Sequence, residues 1–253
     1  MATDKSLWRN EYNDALKEAV EFFWLTRKKQ SKEGVAKKTA DKGSRIAVVG
    51  GKQMDKFSEL MFSITTDQGV PASCIFTRNN DLPGYFRPSK RWDFIVLSPS
   101  KQLAACIEFK SHVGSFGNNF NNRVEEALGS SVDIFTAYRE SIFGNQPPPW
   151  LGYLMLVQRK EGKRGSTRPV RTNEPYFKVS DEFRNTSYLE RYKVLCTRLM
   201  KERHYNSTCL MWTKERVETG MGANYGPVHD TLSFERFASS YIGYLLGRKG
   251  DLV

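Results

Sequence analysis

The sequence has few of the residues that build metal clusters or disulfide frameworks. Its 253 residues include only four cysteines and three histidines. The cysteines are far apart and form no CxxC pair: Cys74, Cys106, Cys196 and Cys209. This spacing excludes a zinc ribbon or a disulfide scaffold and favours a reducing cytosol. The histidines have no metal-ligand spacing to one another, so each is expected to be packed or at the surface: His112, His204 and His229.

Long hydrophobic runs are also missing. No apolar stretch approaches the ~20 residues of a membrane span. Residues 1–10 have mixed charge and no hydrophobic segment, so we expect no secretory signal, no membrane association and a cytoplasmic location. Hydrophobic residues at 39% and aromatics at 13% suffice for a core, which excludes an intrinsically disordered chain. We expect one domain over residues 1–253, with a helical and basic portion at about residues 1–50.

Acidic residues are outnumbered, 28 against 39 basic ones, and the formal net charge is +11. Two stretches hold the whole excess: residues 27–45 carry +6 and residues 159–171 carry +5. Neither alternates basic residues with an apolar helical face, as a membrane-surface helix does. Concentrated positive charge is typical of proteins that bind polyanions. Both stretches are predicted to be loops that contact nucleic-acid phosphates, although a basic loop can also be merely solvated.

Hydrophobic periodicity predicts an α/β protein. The predicted helices cover about residues 7–25, 53–65, 123–142, 188–203 and 233–246. The predicted strands cover about residues 73–77, 92–97, 103–110, 151–157 and 208–213. A polar turn between the second and third strands predicts an antiparallel hairpin. The order of elements predicts a mixed central β-sheet flanked by helices.

The chemically informative residues lie on that hairpin. Glu108 and Lys110 end an apolar strand, where alternation puts both side chains on the same face. Asp93 begins the preceding strand, and antiparallel pairing would bring it close to Glu108. The same acid–lysine spacing at Glu161 and Lys163 lies in a glycine-rich basic loop with no strand before it. Position on a strand, rather than spacing, therefore distinguishes the first pair.

Two neighbouring carboxylates are suited to binding a hard cation such as Mg²⁺. An adjacent lysine can orient a water molecule and stabilise negative charge that develops on a phosphate. Together these groups favour metal-assisted hydrolysis of a phosphodiester bond. The alternative is an ordinary surface salt bridge at the end of a strand.

Asp93, followed on the next strand by Glu108-Phe109-Lys110, resembles the PD-(D/E)xK nuclease site, with Trp92 in place of the usual proline. The segment from Glu108 to Gly129 resembles the central block of the XhoI-like type II restriction endonucleases. Shorter stretches are similar to the same family: residues 50–55, 174–177, 188–192 and 231–234. The resemblance extends over most of the chain from about residue 50. We match no segment of the N-terminal basic stretch to this family.

This resemblance implies a PD-(D/E)xK core and a Mg²⁺-dependent homodimer that cleaves both strands of a short palindromic site in double-stranded DNA. A six-base-pair site such as CTCGAG and 5′-phosphate ends are implied. By the same resemblance, Asp93 and Glu108 are metal ligands and Lys110 positions the attacking water. Glu59 matches the place of an extra catalytic carboxylate, although it can equally be a solvent-facing helix residue.

The segment just after Lys110 contains candidate DNA-binding residues, and we expect a loop there over residues 114–122. Asparagine can bond bidentately to adenine, and arginine to guanine or phosphate. The candidates lie close together in the sequence: Asn118, Asn119, Asn121, Asn122 and Arg123. Asn122 can also act only as a helix cap. Arg91, together with Arg78, Arg87 and Lys90, is a candidate phosphate contact, and residues 220–230 are another candidate reading loop.

Two alternatives remain open at this point. A repair or recombination nuclease, such as a junction resolvase, would have the same core and cut branched DNA. A non-catalytic DNA-binding protein would bind with a steep salt dependence and leave DNA uncut.

Overall fold

Helices and strands alternate through the part of the chain that the computed structural model describes, residues 7–36, 52–215 and 224–253. The helices are α1 (Asn10–Ala36), α2 (Asp55–Asp67), α3 (Phe116–Arg139), α4 (Tyr188–Lys201), α5 (Phe234–Gly247) and α6 (Lys249–Leu252). The strands are β1 (Ile75–Phe76), β2 (Asp81–Pro83), β3 (Ser89–Arg91), β4 (Phe94–Leu97), β5 (Leu103–His112), β6 (Trp150–Gln158), β7 (Ser207–Lys214) and β8 (Asn224–Pro227).

Within these residues, six strands form one mixed sheet in the order β1-β4-β5-β6-β7-β8. The central β5, β6 and β7 are parallel, while β4 pairs antiparallel with β5 and β8 pairs antiparallel with β7. Strands β2 and β3 form a separate antiparallel hairpin. The predicted mixed sheet and the hairpin around residues 98–102 are therefore confirmed.

Helices cover both faces of the sheet, so β5 and β6 are buried almost throughout, as expected for parallel central strands. On one face Ala105, Ile107 and Phe109 join the core formed with α1, α2 and α5. On the other face Cys106 joins the core formed with α3 and α4. Strand alternation therefore directs Glu108 and Lys110 to the face that α3 and α4 cover.

Helix α1 extends further than predicted. Its buried side chains recur at helical spacing against the sheet, among them Leu16, Val20 and Phe23. The helix continues through Ala36, so the prediction of a loop from residue 27 is wrong up to that point. Lysine, arginine and glutamine have good helix propensity and simply propagate an established helix. Residues 37–51, with the rest of the first basic stretch and Gly50-Gly51, lie outside the described residues.

Helix α3 begins at Phe116 rather than at residue 123, which corrects the predicted loop over 114–122. Phe116 stacks on Tyr188 with ring centroids 5.9 Å apart, and Phe120 packs on Tyr192 at 5.0 Å. The two phenylalanines are one helical turn apart, and their burial outweighs the low helix propensity of the intervening asparagines. Asn122 is therefore inside the helix and is not its cap, because the residue before the first turn is Ser115.

Four smaller features complete the comparison with the sequence. The β2–β3 hairpin lies where only a loop was expected, and Leu82 anchors it in the α3/α4 core. The second basic stretch forms a loop between β6 and α4, as predicted. The four cysteines are buried and free. No helix among the described residues is long and apolar enough to cross a membrane.

Candidate active site

The β4–β5 register brings Asp93 to Glu108. Phe94 pairs with Ile107, so the residue before Phe94 lies opposite the residue after Ile107. Asp93 Oδ2 accepts a hydrogen bond of 2.7 Å from the backbone N–H of Phe109. The predicted proximity of the two carboxylates is confirmed, and it follows from backbone pairing rather than from flexible side chains.

Glu108 is the buried centre of the cluster, with 3% of its surface exposed. Its Oε1 lies 2.5 Å from Lys110 Nζ, and its Oε2 accepts a hydrogen bond of 2.8 Å from Lys90 Nζ. A buried carboxylate is costly unless it is paired. Here each oxygen has a cationic partner, so the two lysines allow an ionised Glu108 inside the fold.

Lys90 is the member of this cluster that the sequence analysis missed, since it was considered only as a phosphate contact. It belongs to β3, and its Nζ also donates to the Arg91 carbonyl at 3.2 Å. The ammonium lies 4.6 Å from the centroid of the Trp92 ring, a cation–π distance. The β2–β3 hairpin brings Lys90 to Glu108. Trp92, which replaces the motif's usual proline, contacts the Lys90 ammonium there through its ring.

The charges of the cluster alter two pKa values. Burial and then repulsion from Glu108 raise the pKa of Asp93 from 3.8 to about 6, against the opposing effects of the Phe109 N–H, Lys110 and Lys90. Burial by itself would lower the pKa of Lys110, but the adjacent Glu108 carboxylate outweighs it and raises that pKa. Lys110 is therefore a charged group suited to electrostatic stabilisation and water orientation.

Helix α3 borders this cluster. Glu126 Oε2 lies 3.9 Å from Lys110 Nζ and forms an ion pair with Arg123. Arg123 Nε is buried and has no hydrogen-bond partner among the described residues. Glu126 was not predicted as a site residue, because nothing in its local sequence distinguishes it from other helical acids. The contact puts the third turn of α3 beside the catalytic candidates.

The other predicted DNA-binding residues have varied surroundings. Asn118 is part of the first turns of α3. Asn119 is half-buried, while Asn121 and Asn122 are exposed. Arg91 is exposed and lies 3.3 Å from Asp81 across the β2–β3 hairpin. Thus α3 holds four asparagines close to the Lys110 end of β5, whereas Arg91 lies on the hairpin that contributes Lys90.

Glu59 lies apart from the Asp93–Glu108 cluster in the described contacts. Its side chain is 62% exposed and forms an ion pair of 2.5 Å with Lys56, on the same helix. Helix α2 packs through Phe57 and Leu60 on the sheet face opposite Glu108. The structure therefore does not bring Glu59 together with the other three catalytic candidates.

The two carboxylates of Asp93 and Glu108 fit a magnesium ion. Among the described residues, no cluster of three or more histidine, cysteine, aspartate or glutamate side chains could hold a metal. Asp93 and Glu108 thus offer a site with two carboxylates. Mg²⁺ is commonly held by one or two carboxylates, with water and substrate phosphate completing its shell. A cation would also relieve the repulsion that raises the pKa of Asp93.

Comparison with known proteins identifies the family. The family model described as restriction endonuclease XhoI matches residues 29–224. The type II restriction enzyme BstVI of Geobacillus stearothermophilus is 48% identical over 182 residues, which cover 70% of this chain and 80% of that protein. The type II restriction enzyme XhoI of Xanthomonas vasicola is 49% identical over 162 residues, covering 62% and 64%. The type II restriction enzyme AbrI of Azospirillum brasilense is 40% identical over 173 residues, covering 67% and 76%.

No solved structure matches the chain significantly. The family match nevertheless includes every strand that contributes to the Asp93–Glu108–Lys110 cluster, together with helix α3 that borders it. The chain belongs to the XhoI family of type II restriction endonucleases.

Proposed function

We propose that Asp93, Glu108 and Lys110 carry out Mg²⁺-dependent hydrolysis of phosphodiester bonds in double-stranded DNA. One observation carries the proposal: the buried Glu108 carboxylate adjoins Asp93 through strand pairing and contacts Lys110 directly. Two carboxylates and an ammonium group on neighbouring strands are the groups that metal-assisted phosphodiester hydrolysis requires.

Each residue has a distinct role. Asp93 and Glu108 hold the metal, and the Phe109 N–H fixes the orientation of the Asp93 carboxylate. Bound Mg²⁺ supplies polarisation of the phosphate and a water ligand with a lowered pKa. The Lys110 ammonium orients the attacking water and stabilises charge on the phosphate. Lys90 keeps the second oxygen of Glu108 in place. Glu59 stays a candidate on the family resemblance alone.

Helix α3 is the proposed reader of the DNA sequence. At 3.6 residues per turn, positions 118, 119, 121 and 122 share one side of the helix. A helix with asparagines along one side can lie in the major groove, where asparagine bonds bidentately to adenine. Arg123 and Arg91 then contact bases or phosphates near the cut. The contact of 3.9 Å between Glu126, on α3, and Lys110 supports this proposal.

The proposed substrate is a six-base-pair palindrome such as CTCGAG, cut in the cytoplasm to leave 5′-phosphate ends. A palindrome has two-fold symmetry, so a homodimer presents one active site to each strand. The relative from Xanthomonas vasicola carries the name of the XhoI enzyme, which supports CTCGAG as the first site to test.

Digestion of a sequenced plasmid with Mg²⁺ tests the proposal. We expect discrete fragments ending at CTCGAG, and loss of cleavage in Glu108→Ala and Lys110→Ala with unchanged circular dichroism spectra. The matched controls are Glu235→Ala and Lys249→Ala, which change exposed residues on α5 and α6 and should cut normally. Cutting of branched DNA only would instead favour a junction resolvase, and binding without cutting a non-catalytic protein. Full activity of either active-site variant would refute the site assignment.

A further inference from the structure

A strongly basic cleft lies beside the start of α3. It has a volume of about 680 Å³ and is bounded by residues 114–117, the 160–171 loop and Tyr188. Five of its lining residues are cationic: Lys160, Lys163, Arg164, Arg168 and Arg171. No acidic residue is among the described residues that line it. Most of the basic residues of the second basic stretch therefore line this one cleft.

The five cations have no acidic partner among the described residues. None of them forms an ion pair within the part of the chain that the structure describes. Glu161, the only acid between residues 159 and 171, instead pairs with Lys214 at 3.2 Å. Like charges held close together repel one another and slightly destabilise a fold. A bound anion relieves this repulsion.

The loop that carries these cations is fixed to the core. Ser166 is fully buried, and its hydroxyl donates to the Gln158 carbonyl at 2.6 Å and accepts from the Lys160 N–H at 3.0 Å. A Cβ on Gly165 would lie 2.1 Å from the Lys160 carbonyl oxygen, so this tight turn requires glycine. The Leu189 N–H, at the start of α4, also donates to the Ser166 carbonyl at 3.1 Å. The cations therefore lie on a loop that hydrogen bonds hold against the rest of the fold.

The opposite wall of the cleft adds further donors. The 24-residue helix α3 begins there, and the side chain of its N-cap residue, Ser115, forms no capping hydrogen bond. Open N–H groups and the positive end of a helix dipole both favour an anion. Gly117 allows Tyr188 to approach, since a Cβ at that position would lie 3.1 Å from the tyrosine Oη. Ammonium, guanidinium and backbone N–H donors together match the oxygens of a phosphate group.

We infer that this cleft binds a backbone phosphate of the DNA a few nucleotides from the bond that is cut. Lys110 and Gly114 are four residues apart, so the wall of the cleft is at most ~14 Å from the catalytic lysine along the chain. A phosphate held there aligns the strand with Asp93 and Glu108. The inference rests on the proposed function, because it takes double-stranded DNA as the substrate.

The test uses the Glu108→Ala variant as the reference protein, so that bound DNA is not cut. It is compared with the same variant that also carries Arg164→Gln and Arg168→Gln. Affinity for a CTCGAG duplex and for an unrelated duplex is measured from 50 to 300 mM KCl. We expect about a tenfold loss or more on both duplexes, because phosphate contacts carry no sequence information. The slope of log affinity against log salt should become shallower by about 0.9, the value for one neutralised phosphate. Arg236→Gln, an exposed site on α5, is the matched control and should change neither quantity.

The charge-conserving variant Arg164→Lys/Arg168→Lys separates electrostatics from misfolding and should retain the wild-type slope. Isothermal titration with inorganic phosphate separates free phosphate from DNA as the ligand. An unchanged slope in the glutamine variant overturns the inference, whether or not phosphate binding is lost. If the wild-type protein cuts CTCGAG while the slope is unchanged, the proposed function survives and only the inference fails. If wild type neither binds nor cuts DNA, both fail.

Discussion

Asp93 should lower the stability of the metal-free protein at neutral pH. In the folded protein its pKa is about 6, against 3.8 for an unperturbed aspartate, because burial and the Glu108 charge disfavour its ionised form. A raised carboxyl pKa means that the folded state holds a proton that the unfolded state has lost. The contribution of Asp93 to stability therefore falls as pH rises from about 4 to about 6 and stays low above that range.

The size of this effect follows from the two pKa values. The difference of about two pKa units corresponds to about 3 kcal/mol at 1.36 kcal/mol per unit. Asp93→Asn removes the titrating charge, while the amide oxygen can still accept the hydrogen bond of the Phe109 N–H. The variant should match wild type below pH 4 and exceed it by about 3 kcal/mol above pH 6.5. For a chain of this size that is ~6–12 °C in melting temperature.

Urea unfolding in EDTA between pH 3.5 and 8 measures the difference. Asp14→Asn, an exposed change on α1, is the control and should stay within ~0.5 kcal/mol of wild type at every pH. Addition of Mg²⁺ at pH 7.5 should stabilise wild type more than Asp93→Asn, because a ligand binding only the folded state raises stability. Parallel stability curves for wild type and Asp93→Asn across this pH range would refute the reasoning.

Three further predictions follow from contacts around the site. Lys90→Met should reduce the metal-free stability by about 1–3 kcal/mol, since one oxygen of buried Glu108 loses its partner; an unchanged urea midpoint would contradict this. Asp133→Ala should cost about 2–3 kcal/mol and open residues 84–88 to proteolysis, because the buried Asp133 carboxylate accepts from the N–H groups of Tyr85 and Phe86 and from Arg87; resistance to chymotrypsin, which cuts after Tyr85 and Phe86, equal to that of wild type would count against it. Asn121→Ala/Asn122→Ala should weaken binding to CTCGAG about tenfold or more and leave unrelated DNA unaffected, as expected for base contacts; equal losses on both duplexes would reassign them to phosphate contacts.

Much of the site could be predicted because it depends on local sequence. Glu108 and Lys110 lie two residues apart on an apolar strand, and strand alternation alone puts them on one face. A short polar turn made the pairing of β4 with β5 predictable, and with it the meeting of Asp93 and Glu108. Lys90 was missed because its approach to Glu108 requires the β2–β3 hairpin, whose strands are only three residues long and give no clear alternation.

Helix α3 shows how tertiary packing alters a local preference. Four asparagines and the glycines around them favour a loop, yet Phe116 and Phe120 gain more by packing on the tyrosines of α4. The tyrosines lie about 70 residues further along the chain, beyond any periodicity that a local window detects. The four asparagines and Arg123 thus lie on a helix that follows β5 in the chain, and not on a loop.

The net charge of +11 and its division into two stretches are properties of the sequence alone. The apolar strand that carries Glu108 and Lys110 could also be predicted from the sequence, since it depends on residue identity and on neighbours in the chain. The structure decided which groups come together across long separations: Lys90 with Glu108, Glu126 with Lys110, and the 160–171 loop with the start of α3. These contacts depend on burying apolar surface from distant segments in one core. That cooperative gain belongs to the whole fold and not to any single stretch of the chain.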